Sequence, residues 1–243
     1  SNMLKICAAT SRTIAMPRSF TMESMHSWLD LCIDAAGDAR HAIVDIDFSQ
    51  LRYIDPTGVV VLSNLIEYFR LCGVSGLLSG LYWKSSDAIC YLDDAGFFER
   101  YNEKPLREHA APRAQTMPLR LVENIRTNEF LFYDLIPWMA RQLGTSEEAL
   151  ATVRVCAQEI LQNIADHSGV GVGCVHAQYF PSRGIVEVAF SDFGQGIPQN
   201  VRKIAPQATD SQALRLACNE GFTTQSNVHN RGAGLPTLIN YLA

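Results

Sequence analysis

The chain has 243 residues, and its 20 Lys and Arg against 25 Asp and Glu give a formal net charge of −5. This length favours two domains, at roughly 100–200 residues each. A hydrophobic content of 47% excludes a disordered chain. The acidic balance argues against a nucleic-acid binder with a basic surface, and no apolar run is long enough to span a membrane. We therefore expect neither nucleic acid nor a membrane as a partner.

The seven cysteines are odd in number and scattered along the chain, and no two form a Cys-x-x-Cys pair. Zinc sites need clustered thiolates and imidazoles, which are missing here. The pattern predicts reduced thiols and a cytoplasmic protein.

The first half of the sequence alternates short apolar strands with amphipathic helices. Asp55-Pro56 opens one helix, because Asp is a good N-cap and Pro suits the first helical position. A polar stretch with three prolines then indicates a linker. The predicted strands are 4–8, 13–16, 42–47 and 74–78, the other predicted helices are 20–36 and 86–95, and the predicted division is a domain at 3–104, a linker at 105–117 and a domain at 118–243.

The run IVDIDFSQLRYIDPTGVVVL, residues 43–62, resembles the STAS family of anti-anti-sigma-factor-like domains. In phospho-regulated members of that family a serine follows the Asp at the start of this helix. Here that position is Pro56, which has no hydroxyl, and Thr57 is the nearest acceptor. A helix start needed only for folding and a regulatory role for Thr57 both remain open.

The second half begins with helical periodicity over residues 146–167. Glu159, Asn163 and His167 recur every fourth residue, so they share one face of that helix. A carboxylate and an amide one turn apart could hold a water and a metal side by side. A polar face turned to solvent explains the spacing equally well.

Two strands follow at 172–180 and 185–191, joined by a short turn, and they predict an antiparallel hairpin. Asp192 comes directly after the second strand, and Gly194 and Gly196 follow it. A carboxylate can accept a hydrogen bond from the exocyclic amine of adenine, and glycines allow a flat ligand to approach the backbone. A tight strand-exit turn is the alternative.

Residues 199–230 are polar, with a short helix predicted at 212–219. Gly232 and Gly234 then precede a final predicted helix at 235–242. Glycines at a helix start expose backbone N–H groups to anions such as phosphates. A flexible loop before a helix would give the same sequence.

The order of these three motifs, Glu-x3-Asn, Asp-x-Gly-x-Gly and Gly-x-Gly-Leu, resembles the GHKL, or Bergerat, ATP-binding fold. The stretches NEGFTTQ and NRGAGL are most similar to its anti-sigma-factor serine-kinase branch. The resemblance implies an α/β protein in which a STAS-like βα domain precedes a GHKL α/β sandwich with a mixed, mostly antiparallel sheet. The family continues beyond the position of Ala243, so a truncated or reduced C-terminal domain is expected.

The resemblance also implies ATP and Mg²⁺ as cofactors and assigns the site residues. Glu159 would be the catalytic base, Asn163 the Mg²⁺ ligand, and Asp192 the acceptor for the adenine amine. The remaining implied nucleotide contacts are Gly194, Gly196, Thr223, Thr224, Arg231, Gly232 and Gly234.

Three functions are compatible with these motifs. The first is a serine/threonine protein kinase acting on a partner of the STAS or sigma-factor-regulator type. The second is a non-catalytic switch whose partner binding is gated by ATP, and the third is a slow ATPase. A homodimer is compatible with each of them.

Overall fold

The computed structural model of the chain describes residues 11–34, 37–123, 126–167, 172–192, 194 and 196–217. It is a mixed α/β protein. The chain divides into two compact units, and neither is continuous in sequence. The first comprises Ser1–Arg120 and Cys174–Ser191, and the second comprises Leu121–Gly173 and Asp192–Ala243.

Two small parallel sheets form the framework of the first unit. Strands β1 (Ser11–Ala15), β3 (Ile43–Asp47) and β5 (Ser75–Ser79) pair in the order β1-β3-β5. Strands β2 (Ser19–Phe20) and β4 (Tyr53–Ile54) form the second sheet. The strands predicted at 13–16, 42–47 and 74–78 are therefore confirmed to within two residues at each end. The strand predicted at 4–8 lies outside the described residues.

Four helices connect these strands: α1 (Met22–Leu29), α2 (Pro56–Cys72), α3 (Asp87–Asp94) and α4 (Phe97–Tyr101). The helix predicted at 86–95 is confirmed as α3, whereas α4 was not predicted.

The helix predicted at 20–36 is wrong at both ends. Phe20 lies in β2, and α1 ends at Leu29. Beyond it the chain turns back, and Ile33 bridges Ala39. The Arg40 side chain donates to the carbonyl oxygens of Asp30 and Ile33, at 2.7 and 3.1 Å. Hydrogen bonds from Arg40, seven and ten residues further along the chain, thus take the place of the next helical turn.

Helix α2 begins as the sequence predicts. The Asp55 side chain accepts a hydrogen bond from the Gly58 N–H at 2.7 Å, and Pro56 occupies the first helical position. Gly58 is required by close approach, because a Cβ there would lie 2.5 Å from the Phe20 carbonyl oxygen. The predicted apolar stripe of α2 is buried: Val59, Leu62, Leu65, Ile66 and Phe69.

The stretch before the third sheet is tied to α3 by ion pairs. Asp93 is buried, and Arg107 donates to it from both its backbone N–H and its Nε. Asp94 pairs with Arg107 and with Arg113. Buried carboxylates need such partners to offset their desolvation. Part of the predicted linker is therefore held in a fixed conformation.

The third sheet has the order β6-β7-β8, with β6 (Thr116–Glu123), β7 (Val172–Phe180) and β8 (Ile185–Asp192). The two strands predicted at 172–180 and 185–191 are confirmed. Their short connection makes them antiparallel. Most of this hairpin, residues 174–191, belongs to the first unit although it is distant in sequence.

The described part of the second unit is helical apart from the strand residues 121–123, 172–173 and 192. A continuous helical segment comprises α5 (Thr127–Glu129), a π-helical stretch and α6 (Ile136–Leu143). The others are α7 (Ala151–His167), α8 (Gly196–Arg202) and α9 (Asp210–Ala217).

The helix predicted at 146–167 is confirmed from residue 151, after a 3-10 turn at Glu148–Leu150. The one predicted at 212–219 corresponds to α9. The helix α8 and the segment 127–143 were not predicted. Among the described residues, no helix combines the length and apolar character that crossing a bilayer requires.

Candidate functional site

Helix α7 presents one buried and one partly accessible side. Ala157, Leu161 and Ile164 are buried. Glu159 and Asn163 are half-buried and lie one turn apart, on the same face. The two side chains therefore share the face that the spacing predicted and remain partly accessible, which fits both a binding pair and a polar face turned to solvent.

Asp192 is the last residue of β8 and is half-buried. Its Oδ1 accepts a hydrogen bond from the Gly194 N–H at 2.5 Å. The carboxylate thus folds the chain into a tight turn as it leaves the sheet, an Asx-type turn. A carboxylate has two oxygens and several acceptor positions, so this bond does not exhaust its capacity.

Gly196 begins α8 with a φ of 73°. This left-handed conformation is costly for residues with a Cβ, which explains the second glycine of the Asp-x-Gly-x-Gly motif. Helix α8 packs against α7 within the second unit. The Asp192 turn therefore leads directly into a helix that contacts the one carrying Glu159 and Asn163.

Half of the ten predicted site residues lie in described parts of the second unit: Glu159, Asn163, Asp192, Gly194 and Gly196. The predicted lid residues Thr223, Thr224, Arg231, Gly232 and Gly234 lie outside the described residues, as does the helix predicted at 235–242.

The donor set suits a magnesium ion held mainly by a nucleotide. Among the described residues, no three His, Cys, Asp or Glu side chains cluster as a self-sufficient metal cage. Mg²⁺ in phosphate-transferring sites takes one or two protein oxygens and completes its shell with phosphates and water. The amide oxygen of Asn163 can provide such a ligand.

The sequence also suggested phosphate chemistry at the start of α2. The groups around this helix start are unfavourable for binding an anion. The Gly58 N–H is already bonded to Asp55, and Pro56 has no N–H. Burial raises the pKa of Asp55, and the nearby Glu187 carboxylate adds to the rise. A phosphate on Thr57 would therefore be repelled by the Asp55 and Glu187 carboxylates.

The sequence analysis missed a set of polar contacts inside the first unit, between the hairpin and helices α2 and α3. The Cys174 thiol donates to Ser63 Oγ at 3.4 Å, and Tyr91 Oη lies 2.7 Å from His176 Nε2. The side-chain amide of Asn64 donates to Ser191 Oγ. These partners are 111, 85 and 127 residues apart, so no local pattern could identify them.

Burial is the main cause of the pKa shifts in this contact region. It lowers the pKa of His176 to about 4, against the opposing effect of the Met117 backbone. It also raises the pKa of the Cys174 thiol to about 12 and that of Tyr91 above its usual value. All three groups are therefore neutral at pH 7, as expected for a dry interface between a sheet and helices.

A surface depression of about 630 Å³ lies in the second unit, where the chain passes from α8 to α9. Its lining differs from the predicted site and consists of Ala205, Pro206, Gln207, Ala208, Gln212, Arg215 and Leu216. The predicted nucleotide residues and this depression are therefore separate features of the unit.

No protein-family model, curated protein or solved structure matches this chain. The two family resemblances of the sequence thus stay predictions.

Proposed function

We propose that this protein binds Mg-ATP and transfers the γ-phosphoryl group to a Ser or Thr of a STAS-type protein partner. In this proposal residues 118–243 form a GHKL-type ATP-binding domain, and residues 3–104 form a STAS-like domain. The observation that carries the proposal is the pairing of Glu159 and Asn163 on the accessible side of α7, in the same compact unit as the Asp192 turn.

The Asp192 carboxylate would accept a hydrogen bond from the adenine amine. Its Oδ1 already receives the Gly194 N–H, which fixes the orientation of the carboxylate before a ligand arrives. A fixed acceptor loses little conformational entropy on binding, so more of the hydrogen-bond free energy appears as affinity. Gly194 and Gly196 leave room for the flat base.

Asn163 and Glu159 would act at the phosphate end. ATP, when bound, supplies the phosphoryl group and, with Mg²⁺, an electrophilic phosphorus. The Asn163 amide oxygen would hold the metal. The Glu159 carboxylate would accept the proton of the attacking hydroxyl, for which it must remain ionised and within reach of the substrate.

Nucleotide binding is tested by calorimetry of ATP with and without Mg²⁺, on the wild type and on Asn163→Ala. We expect binding in the wild type that strengthens with Mg²⁺, and loss of the Mg²⁺ effect in the variant. Gln162→Ala, an exposed neighbour on the same helix, is the matched control and should behave like the wild type. Absence of binding in the wild type would overturn the proposal.

Catalysis is tested by phosphoryl transfer from labelled ATP to a panel of STAS-type proteins. Glu159→Gln should retain ATP affinity and lose transfer by roughly two or more orders of magnitude, as for removal of a general base. Phosphate release without a protein acceptor, abolished in the same variant, would instead identify a slow ATPase.

The surroundings of Pro56 at the start of α2 favour a second candidate function, an ATP-gated interaction switch without group transfer. The chain lacks a hydroxyl at Pro56, and Asp55 and Glu187 make the α2 start unfavourable for a phosphate. The switch predicts partner affinity that changes between ATP, ADP and no nucleotide. Equal affinity in the three states would exclude it.

A further inference from the structure

We propose that Asn64, in the middle of α2, is a positioning residue for the nucleotide site, and that α2 and the bound nucleotide are thermodynamically coupled through its hydrogen bond to Ser191. This inference rests on the proposed function, because Asn64 bonds to Ser191, and Ser191 directly precedes Asp192, the residue proposed to bind adenine. It adds a link between the STAS-like part and nucleotide affinity.

The first observation is the location of this bond. Asn64 Nδ2 donates to Ser191 Oγ, and Ser191 is the penultimate residue of β8. Asp192 is the next residue, so the bond fixes the strand one residue before the carboxylate. A strand held at this point limits how far the following residue can rotate or shift.

The second observation is that α2 holds both strands of the hairpin at the same end. Ser63, adjacent to Asn64, accepts a hydrogen bond from the Cys174 thiol at 3.4 Å. Cys174 and Ser191 both lie at the end of the hairpin opposite its turn. Two neighbouring residues of one helix therefore hold β7 and β8 at the end from which Asp192 leaves the sheet.

The third observation is that these bonds belong to a buried contact. Ser63 and Cys174 have no exposed surface, and Asn64 and Ser191 are half-buried. Hydrogen bonds shielded from water hold geometry better than exposed ones, because water cannot easily replace either partner. The end of β8 is thus restrained by α2.

A restraint next to a binding carboxylate implies reciprocal coupling. If the bond between Asn64 and Ser191 favours the Asp192 geometry that binds nucleotide, then nucleotide binding must favour that bond by the same factor. Bound ATP would therefore stabilise the middle of α2, and disruption of α2 at Asn64 would weaken ATP binding. Asn64 touches no ligand in this scheme and acts only through Ser191.

The test is a double-mutant cycle on the affinity for Mg-ATP, measured by calorimetry, with Asn64→Ala, Ser191→Ala and the double variant. We expect each single change to raise Kd roughly three- to tenfold, the size of effect given by one shielded hydrogen bond. The double variant should resemble either single one, since both remove the same contact.

Tyr68→Phe provides the matched control. Tyr68 also lies on α2, and its hydroxyl donates to the Gly37 carbonyl oxygen inside the first unit. This change removes one α2 side-chain hydrogen bond, one helical turn from Asn64, that does not involve the hairpin. It should lower the melting temperature as Asn64→Ala does and leave Kd within about twofold, which separates positioning from general destabilisation.

Hydrogen exchange gives the reciprocal measurement. In the wild type, Mg-ATP should slow amide exchange in the middle of α2, and in Asn64→Ala and Ser191→Ala it should not. Should Asn64→Ala fail to fold, Ser191→Ala, which removes only a hydroxyl, tests the same contact.

Two negative results are distinguishable. Wild-type protein that binds ATP, together with Kd values in both single variants equal to that of the wild type, overturns the coupling and leaves the proposed function intact. Wild-type protein that does not bind ATP overturns both.

Discussion

Asp55 and Asp192 both lie where a strand ends, and their surroundings differ. Asp55 follows β4 and immediately caps α2: its side chain accepts the Gly58 N–H, and its pKa is raised by burial and by the charge of Glu187. Asp192 ends β8 and folds a short turn through the Gly194 N–H, and α8 begins only at Gly196. The first carboxylate caps the helix that begins next to it, whereas the second holds a turn that precedes the next helix.

In both places an aspartate at a strand end accepts a backbone N–H. The comparison shows that this arrangement can stabilise a helix start at Asp55 and can hold the proposed binding residue at Asp192. At the start of α2 the polar groups satisfy one another, and the contacts of α2 and α3 with the hairpin are buried. On the accessible side of α7 and in the Asp192 turn, the polar groups are half-exposed. Apart from Asn64 and Ser191, changes in the first region should therefore alter stability, and changes in the second should alter affinity.

The largest expected effect tests the structural region through pH. His176 has a pKa of about 4 in the folded protein, against about 6.5 in the unfolded chain. The unfolded state therefore gains a proton first as the pH falls, and the free energy of unfolding should decrease between pH 6.5 and 4 by up to about 3 kcal/mol. Urea unfolding at a series of pH values measures this.

His176→Gln is the control for that experiment, because glutamine cannot take up a proton but can still bond to the Tyr91 hydroxyl. Carboxylates titrate in both proteins, so the difference between the two pH profiles isolates His176. Parallel profiles would mean that His176 is exposed to water more than the structure indicates.

The next effect tests the binding region. Asp192→Ala removes the acceptor for the adenine amine and should weaken ATP binding by about 100-fold, as for a hydrogen bond to a charged group. Loss of the turn hydrogen bond from the Gly194 N–H should lower the free energy of unfolding by about 1 kcal/mol. Calorimetry measures the ATP affinity and urea unfolding measures the stability of the same sample. An unchanged ATP affinity in Asp192→Ala would refute the adenine assignment.

The smallest effect tests the other aspartate. Asp55→Ala removes the N-cap of α2 and should lower the free energy of unfolding by about 1 kcal/mol, with ATP affinity unchanged. Asp55→Asn keeps a capping oxygen and removes the charge that faces Glu187, so it should be at least as stable as the wild type. A loss of ATP affinity in Asp55→Ala would contradict the division between the two regions.

Local sequence signals identified most of the elements near the candidate site. The cap at Asp55 and Pro56 predicted the start of α2, and alternating apolar residues predicted β7 and β8. These predictions succeed because capping and periodicity depend on residues a few positions apart. The pairing of Glu159 with Asn163 follows from helix geometry in the same way.

The local signals failed where contacts with residues outside the element determine where a helix ends or whether it forms. The helix predicted at 20–36 ends at Leu29, where the chain turns back and Arg40 occupies the carbonyls of Asp30 and Ile33. Helix α8 escaped prediction because its seven residues, GIPQNVR, show too little periodicity to be recognised, and it packs against α7. In both places tertiary contacts outweigh a weak local preference.

The sequence by itself determined the α/β class, the cap of α2, the hairpin, and the shared face of Glu159 and Asn163, because each depends on neighbours along the chain. The tertiary structure alone decided that the hairpin packs with the first half of the chain, with His176 against Tyr91 and Ser191 against Asn64. Such pairs lie 85 and 127 residues apart, and they form only when folding buries both partners together.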